Sequence, residues 1–224
     1  MVETWILGID DAGRGPVIGP MVLAGCLIDK KLEPKFRRLG VRDSKQLTQK
    51  RREFLEKKIK DEAETFEIVI SKPLEIDKKN EQGINLNELE AIGAARIINR
   101  INKGYIKIKV VIDCPSVSIF KWQDLLKTKI KNLSNLEISC EHKADKNHVS
   151  VAAASILAKC AREKAMAKLK AEFGDAIGSG YTSDPATQKF LQKNARKHKD
   201  KGIFRKSWVT WKKAHENTVQ KKLI

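Results

Sequence analysis

Near its start the chain reads Trp5-Ile6-Leu7-Gly8-Ile9-Asp10-Asp11-Ala12-Gly13-Arg14-Gly15-Pro16. The first five of these residues are largely apolar and predict a short buried strand. The glycines and the proline that follow break regular structure, so we expect the strand to end at Asp10. Successive side chains of a regular strand point to opposite faces, and Asp11 can therefore share a site with Asp10 only if the chain twists at this point.

Apolar periodicity along the rest of the chain predicts interspersed strands and helices. We expect further strands at 17–28, 66–70, 108–113 and 136–141. Helices are expected at 48–63, with Thr48 as N-cap, and at 85–102, 149–173, 185–199 and 207–222. This order predicts an α/β fold, with a mixed five-stranded sheet flanked by helices and a helical C-terminal extension. We place the domain boundary between 1–177 and a basic extension at 178–224.

The charge of the chain predicts a polyanionic partner. Among 224 residues, 45 are Lys or Arg and 28 are Asp or Glu, which gives a formal net charge of +17. From Lys189 onward there are twelve basic residues against Asp200 and Glu216, a net charge of +10. Such an excess attracts nucleic acids and makes their binding sensitive to salt.

Other features of the composition predict a cytoplasmic protein. No apolar run approaches the roughly 18 residues of a membrane span, and the N-terminal residues do not form a signal peptide. The four cysteines are scattered, without a C-x-x-C pair, and are expected to be reduced thiols.

Four acidic residues stand where the predicted strands end or in loops: Asp10, Asp11, Asp113 and Asp145. Residues at strand ends can converge at one edge of a sheet. Hydrolysis of a phosphodiester requires an activated water and neutralisation of the leaving oxygen, and two Mg²⁺ ions about 4 Å apart supply both. Because hard cations prefer oxygen ligands, the acids predict a two-metal site for Mg²⁺ or Mn²⁺.

Seven blocks follow one another along the chain: 8–20 (GIDDAGRGPVIGP), 43–48 (DSKQLT), 112–113 (ID), 141–145 (EHKAD), 153–159 (AASILAK), 178–185 (GSGYTSDP) and 205–208 (RKSW). Together they resemble the ribonuclease HII (type 2 ribonuclease H) family, particularly its archaeal branch. The resemblance implies a ribonuclease H-like catalytic domain with all four acids as metal ligands. It also implies a metal-dependent endonuclease that hydrolyses the RNA of RNA–DNA hybrids. This enzyme would cut 5′ of single ribonucleotides embedded in DNA, leaving 3′-hydroxyl and 5′-phosphate ends.

The resemblance also implies roles in nucleic-acid binding. The turn Gly13-Arg14-Gly15 would hold the ribose 2′-hydroxyl, the group that separates RNA from DNA. Glycine suits this contact because a missing Cβ lets the backbone approach a sugar. Tyr181 would stack on the deoxyribose that follows the ribonucleotide. Lys45 and Lys143 would bind phosphates.

One departure from the family pattern affects the metal site. Asp11 stands where the family usually has Glu, and the loss of one methylene retracts the carboxylate. We therefore expect a water to bridge Asp11 to a metal, and Mn²⁺ to support activity better than the strictly octahedral Mg²⁺.

Three other functions are compatible with parts of the sequence. They are a non-catalytic nucleic-acid-binding protein, another two-metal nuclease of the ribonuclease H-like superfamily, and a type 3 relative. The type 3 enzymes carry an additional N-terminal domain, for which a first strand at residue 5 leaves no room. The last residues, 220–224, resemble the start of a sliding-clamp-binding peptide. The aromatic pair of such peptides is missing, so clamp binding is not expected, and a monomer is expected.

Overall fold

The computed structural model describes residues 4–42, 44 and 47–220. Its strands are β1 (Trp5–Ala12), β2 (Met21–Asp29), β3 (Thr65–Ser71), β4 (Ile108–Asp113) and β5 (Leu136–Glu141). They form one sheet in the order β3-β2-β1-β4-β5. Strand β1 runs antiparallel to β2 and parallel to β4, and β4 runs parallel to β5. The predicted mixed five-stranded sheet is confirmed.

The helices follow β2 and separate the later strands from one another. They are α1 (Glu33–Leu39), α2 (Gln49–Glu62), α3 (Pro73–Glu81), α4 (Leu86–Ile101), α5 (Ile119–Lys127), α6 (Ala144–Asn147), α7 (Val149–Phe173), α8 (Pro185–Asn194) and α9 (Val209–Gln220). Thr48 caps α2 as predicted, because its hydroxyl accepts a hydrogen bond from the Arg51 amide at 3.3 Å. Across the described residues, no helix combines the length and apolarity needed to cross a membrane. The four cysteines are buried, and none of them forms a disulfide.

The chain divides into two compact units. The first comprises the chain up to Ala12, Val22–Val69 and Asn87–Ala161, and its core contains apolar side chains of β1, β2, α2 and α7. The second comprises Gly13–Met21, Ile70–Leu86 and the chain from Arg162 onward. Its core is a separate cluster that includes Ile18, Phe190 and Phe204. The domain boundary at residue 178 stays a prediction.

Strand β1 is longer than the sequence indicates. Its antiparallel ladder with β2 continues through Asp11, opposite Leu23, to Ala12, opposite Val22. The expected strand end at Asp10 is therefore wrong, because pairing with β2 holds the chain extended as far as the first glycine. As a consequence Asp10 and Asp11 leave opposite faces of a regular strand. Asp10 is buried and Asp11 is half-buried.

The predicted second strand, 17–28, also starts too early. Regular pairing begins at Met21, and Ile18 instead forms an isolated antiparallel bridge with Phe204. The amides of Val17 and Ile18 both donate to the carbonyl of Gly180, at 2.9 and 3.2 Å. These residues thus belong to the second unit.

Gly8 allows α7 to lie directly against β1. A Cβ at Gly8 would stand 2.1 Å from the carbonyl carbon of Ser150, so any side chain there would displace the start of the helix. Gly8 and Asp10 lie on the same face of β1, two residues apart. The close packing at Gly8 therefore brings α7 beside Asp10.

Candidate active site

The register of the sheet aligns three carboxylates. Ile9 pairs with Ile112 where the parallel ladder of β1 and β4 ends, and the next residues on the two strands are Asp10 and Asp113. Asp113 in turn lies opposite Glu141 on β5. Adjacent strands are about 4.8 Å apart, so these backbones hold their acidic side chains close together. Asp10 and Asp113 thus lie on neighbouring strands at the same edge of the β1–β4 ladder, although β1 itself continues past Asp10 to Ala12.

Asp10 has the most perturbed environment of these acids. It is only 5% exposed, and burial raises its pKa well above the ordinary value of 3.8. The negative charges of Asp11 and Asp113 raise this pKa further. Hydrogen bonds from the Ser155 side chain and from the Asp11 amide, which lies 2.7 Å from Oδ1, act in the opposite direction. The carboxylates of Asp11 and Asp113 therefore each lie close enough to repel the charged form of Asp10.

A chain of hydrogen bonds links Asp10 to a lysine. The hydroxyls of Ser155 and Ser44 are 2.7 Å apart, and both side chains are buried. The ammonium of Lys159 donates to the Ser44 hydroxyl. Ser44, Ser155 and Lys159 all lie in sequence blocks that resemble the family. Local sequence patterns gave them no role, because only the packing of α7 against β1 brings them towards Asp10. They bring a positive charge towards Asp10 through two hydroxyl groups.

Asp113 and Asp145 are joined through a strained turn. The Asp113 carboxylate accepts a hydrogen bond from the Ala144 amide at 2.9 Å. The preceding residue, Lys143, has φ 58°, in the left-handed region, which costs a non-glycine residue roughly 1–2 kcal/mol. This reversal leads from β5 into α6, where Asp145 is buried in the first turn. The Lys143 side chain is exposed, as contact with a phosphate would require.

Glu141 stands level with Asp113 but has different partners. Its carboxylate accepts a hydrogen bond from the Ser139 hydroxyl at 2.8 Å and lies 2.9 Å from Nε2 of His148. The hydrogen bond with His148 lowers the pKa of Glu141. The sequence did not indicate this residue as part of the site.

The donor set fits a hard divalent cation in its chemistry. Carboxylate oxygens are the ligands that Mg²⁺ and Mn²⁺ prefer, and a cation would relieve the repulsion that raises the pKa of Asp10. Within residues 4–42, 44 and 47–220, however, no three Asp, Glu, His or Cys side chains are grouped closely enough to hold an ion between them. Side-chain rotation would therefore have to complete the coordination.

In the second unit, the two glycines of the turn differ in what they require. Gly13 has φ +81°, and a Cβ there would lie 2.3 Å from Cδ of Arg162 and 2.8 Å from the carbonyl oxygen of Pro20. Gly15 has no left-handed φ, and apart from its two chain neighbours a Cβ there would meet no atom of the described residues within 4 Å. The fold itself thus demands glycine at 13 but makes no such demand at 15.

Arg205 holds the backbone of this turn from behind. Its side chain is fully buried and donates to the carbonyl oxygens of Gly13 at 2.6 Å, Arg14 at 2.7 Å and Gly19 at 3.0 Å. Hydrogen bonds from a charged donor are among the stronger ones in proteins. The sequence could not assign this role, because Arg205 is separated from the turn by 191 residues or more of chain.

Arg162 connects the turn with Tyr181. Its guanidinium lies 5.0 Å from the centre of the Tyr181 ring and donates to the Ser179 carbonyl at 3.1 Å, while its aliphatic part borders Gly13. Asp184 fixes the same loop by accepting the Ser179 amide at 2.6 Å, and such hydrogen bonds lower its pKa to about 2. Tyr181 itself remains 41% exposed on this fixed loop. Gly13, Arg14, Gly15 and Tyr181 therefore belong to one assembly, for which the sequence missed Arg162.

Two predicted features fall on residues that the structure does not describe. Lys45 lies outside the described residues, and so do residues 221–224 of the clamp-like sequence.

Comparisons with known proteins agree with the resemblance. A family model described as Ribonuclease HII matches residues 7–211. Ribonuclease HII of Methanococcus maripaludis strain C5 is 43% identical over 222 residues, which are 98% of this chain and 90% of that protein. Ribonuclease H2 of Pyrococcus horikoshii OT3 superposes with a TM-score of 0.84 at 37% identity, over 96% of this chain and 98% of that one. The ribonuclease HII of Archaeoglobus fulgidus, solved as a PCNA complex, gives a TM-score of 0.79 at 36% identity, over 91% and 94%.

Proposed function

The chain belongs to the ribonuclease HII family, and from this premise we propose that it cuts DNA duplexes 5′ of single embedded ribonucleotides. Its relatives make it an endoribonuclease with a ribonuclease H-like fold, and the family supports ribonuclease H activity on RNA–DNA hybrids. The proposal adds the isolated ribonucleotide as a substrate, the position of the cut, and products with 3′-hydroxyl and 5′-phosphate ends.

The single observation that carries this proposal is the open space at Gly15. A glycine is usually required where φ is positive or where another atom lies too close for a Cβ. Neither condition holds for Gly15 among the described residues. Such a residue allows a ligand to approach the backbone. We assign this space to the ribose. The backbone of Gly13-Arg14-Gly15 would bind its 2′-hydroxyl.

Tyr181 is assigned to the deoxyribose that follows the ribonucleotide. An exposed aromatic ring on a fixed loop can stack on a deoxyribose without reorganisation. The Arg162 guanidinium below the ring supports this assignment, because a cation–π contact at 5.0 Å restrains the ring.

The acids are assigned to catalysis together with Mg²⁺ or Mn²⁺. Asp10, Asp11, Asp113 and Asp145 would hold the ions, which when bound activate the attacking water and neutralise the leaving oxygen. Ser155 and the Asp11 amide orient the Asp10 carboxylate, and the Ala144 amide orients that of Asp113. Water is the nucleophile in this scheme, so the 2′-hydroxyl is read but does not react.

The test is cleavage of a DNA duplex that contains one ribonucleotide, with the cut site and end groups mapped. We expect cleavage 5′ of the ribonucleotide that excess EDTA abolishes. A 2′,3′-cyclic phosphate, or activity undiminished in EDTA, would refute the mechanism. Cleavage only within longer RNA stretches would refute the single-ribonucleotide substrate.

The same test separates the alternative functions. A non-catalytic binding protein would cut neither substrate, and membership of an enzyme family argues against it. Another two-metal nuclease of the superfamily would cut without regard to the 2′-hydroxyl. An all-DNA duplex of the same sequence is therefore the necessary control.

Duplex binding is assigned to the exposed basic residues of the C-terminal segment. They are Lys189, Lys193, Arg196, Lys197, Lys199, Lys201, Lys212 and Lys213. Deleting the segment would be a poor test, because Phe190, Phe204 and Arg205 are buried in the second unit. Replacing Lys193, Arg196 and Lys197 by Gln should instead flatten the salt dependence of binding by about 0.9 in slope for each phosphate that the protein no longer neutralises. An unchanged slope would show that these charges are only solvated.

PCNA binding is a second proposal, supported by the Archaeoglobus fulgidus relative that was solved with PCNA. The missing aromatic pair in residues 220–224 argues against it. Co-elution of the full chain with a PCNA decides the matter, with a chain ending at residue 219 as control. The expected monomer can be checked by the elution volume of the chain alone.

A further inference from the structure

Trp208 completes a row of contacts along the Gly13-Arg14-Gly15 turn. Arg205 donates hydrogen bonds to the carbonyls of Gly13 and Arg14, and the indole N–H of Trp208 donates to the carbonyl of Gly15 at 3.2 Å. All three successive carbonyls of the turn are thus held by two side chains of one short segment. The guanidinium also lies 5.0 Å from the Trp208 ring, so the two side chains restrain each other.

These contacts determine which way the amides of the turn face. In a trans peptide the C=O and the N–H of one peptide plane point in opposite directions. When the carbonyls of Gly13 and Arg14 face Arg205, the N–H groups of Arg14 and Gly15 face away from it. The carbonyl of Gly15 precedes Pro16, which has no N–H, so the Trp208 contact fixes the end of the turn.

Asp77 holds the segment that carries Arg205 and Trp208. Its carboxylate, on α3, accepts hydrogen bonds from the Lys206 amide at 2.8 Å, the Ser207 amide at 2.9 Å and the Ser207 hydroxyl at 2.6 Å. Asp77 is only 8% exposed. The two residues between Arg205 and Trp208 are therefore anchored by a buried acid, and a shift of this anchor would move both side chains.

We propose that Trp208 and Asp77 are positioning residues that set the selectivity of the enzyme for ribonucleotides over deoxyribonucleotides. Trp208 acts on the turn directly, and Asp77 acts through the 205–208 segment. The inference rests on the proposed function, because it takes the turn to be the reader of the 2′-hydroxyl. It differs from a general role in duplex binding, which would affect RNA-containing and all-DNA duplexes alike.

Trp208→Phe is the sharpest variant, because it retains an aromatic ring for Arg205 and removes only the indole N–H and part of the ring. Trp211→Phe is the matched control. The indole nitrogen of Trp211 is buried and has no hydrogen-bond partner among the described residues, so its loss leaves no acceptor unpaired. Binding is measured by fluorescence anisotropy in excess EDTA, where no cut occurs. The two probes are a duplex with one ribonucleotide and the same duplex made only of DNA.

We expect Trp208→Phe to reduce the preference for the ribonucleotide duplex about two- to tenfold, the range for one net hydrogen bond. Its affinity for the all-DNA duplex should stay unchanged, and Trp211→Phe should retain the wild-type preference. In cleavage assays the same variant should lower the ratio of kcat/KM for the ribonucleotide duplex to that for a 2′-fluoro analogue, because fluorine is a much weaker acceptor of amide hydrogen bonds than a hydroxyl oxygen.

Asp77→Asn tests the anchor independently. An amide has one acceptor oxygen where the carboxylate has two, so the three donors of Lys206 and Ser207 cannot all be satisfied. Preference for the ribonucleotide duplex should fall, while Glu81→Gln, an exposed site on the same helix, should leave it unchanged. Thermal melting of each variant establishes that it is folded, and Trp208→Phe remains decisive if Asp77→Asn does not fold.

The outcomes separate this inference from the proposed function. If wild-type protein shows no preference between the two duplexes, the proposed reading of the 2′-hydroxyl by the turn is wrong. If wild type shows a preference and folded Trp208→Phe retains it in full, only the positioning role is wrong. Equal loss of affinity for both duplexes would make Trp208 a general binding residue and overturn the inference.

Discussion

Alanine at Gly15 adds one methyl group in a space where, apart from the two chain neighbours, no atom of the described residues lies within 4 Å of the new Cβ. The backbone there does not have a left-handed φ, so the substitution introduces no strain. A surface change of this kind alters the free energy of unfolding by no more than about 0.5 kcal/mol. For a chain of this size the expected change in Tm is less than about 2 °C.

The effect on cleavage should be far larger. If the ribose approaches the backbone at Gly15, the methyl group occupies part of its place and displaces the scissile phosphate. A displacement of about 1 Å can lower the rate about 100-fold. We therefore expect Gly15→Ala to lose about two orders of magnitude in kcat/KM on a single-ribonucleotide duplex.

Gly13→Ala is the informative comparison within the same turn. Its positive φ alone costs an alanine roughly 1–2 kcal/mol, and the Cβ would collide with Arg162 and with the Pro20 carbonyl. This variant should melt several degrees lower, at about 2–4 °C for each kcal/mol. Loss of activity in Gly13→Ala would thus include an effect on folding, whereas loss in Gly15→Ala would not.

The assays are thermal melting and steady-state cleavage of the single-ribonucleotide duplex, with anisotropy on the all-DNA duplex as the binding control. Gly15→Ala should match wild type in melting and in affinity for DNA, and fail only in cleavage. Wild-type kcat/KM for Gly15→Ala would refute the reasoning, because the space beside Gly15 would then have no ligand.

Three further predictions concern the acids and Arg205. Asp11 leaves the opposite face of β1 from Asp10, so Asp11→Asn should lose only about 10- to 100-fold in cleavage, as for an indirect ligand. Asp10→Asn should lose more activity than Asp11→Asn. If the two variants lose activity equally, whether assayed in Mg²⁺ or in Mn²⁺, Asp11 is a direct ligand. The pKa of Asp10 is raised on folding above 3.8, so the folded state holds this proton more tightly, and stability falls as pH rises through the raised pKa. In EDTA, Asp10→Asn should therefore melt higher than wild type at about pH 8 and the same at about pH 3; a pH-independent difference would contradict this. Arg205→Lys leaves at least one of three carbonyls without its donor and should lower the free energy of unfolding in urea by about 3 kcal/mol. Exposed Arg196→Lys is its control, and equal stability of the two variants would show that the buried contacts contribute little.

Local sequence patterns were sufficient where an element is defined by its own residues. Strands β4 and β5 and helix α7 have the predicted bounds, and Thr48 caps α2 as expected. Helices α1, α3, α5 and α6 were not predicted, because none of them is longer than nine residues and so none gives a long apolar period. The end of β1 was misplaced because the partner strand β2, and not the local glycines, determines how far the pairing extends.

For the candidate site, the sequence predicted the residues but not the contacts that hold them. Asp10 and Asp113 could be recognised because each directly follows a largely apolar run of sequence. Arg205 and Asp77 could not, because their partners are separated from them by at least 129 residues. The contact of Ser155 with Asp10 could not be predicted either, because it depends on the close packing of α7 against β1 at Gly8.

The long sequence separation between the turn and Arg205 has a consequence for the order of events during synthesis. Residues 13–15 leave the ribosome early, but the groups that hold their carbonyls are not made until residues 205 and 208. Contacts of such high sequence separation form late and slow the folding of a domain. An incomplete chain would already contain all four acids while its turn lacked a fixed shape. Under the proposed function, selectivity for the ribose would thus be acquired only after residue 208 has been made.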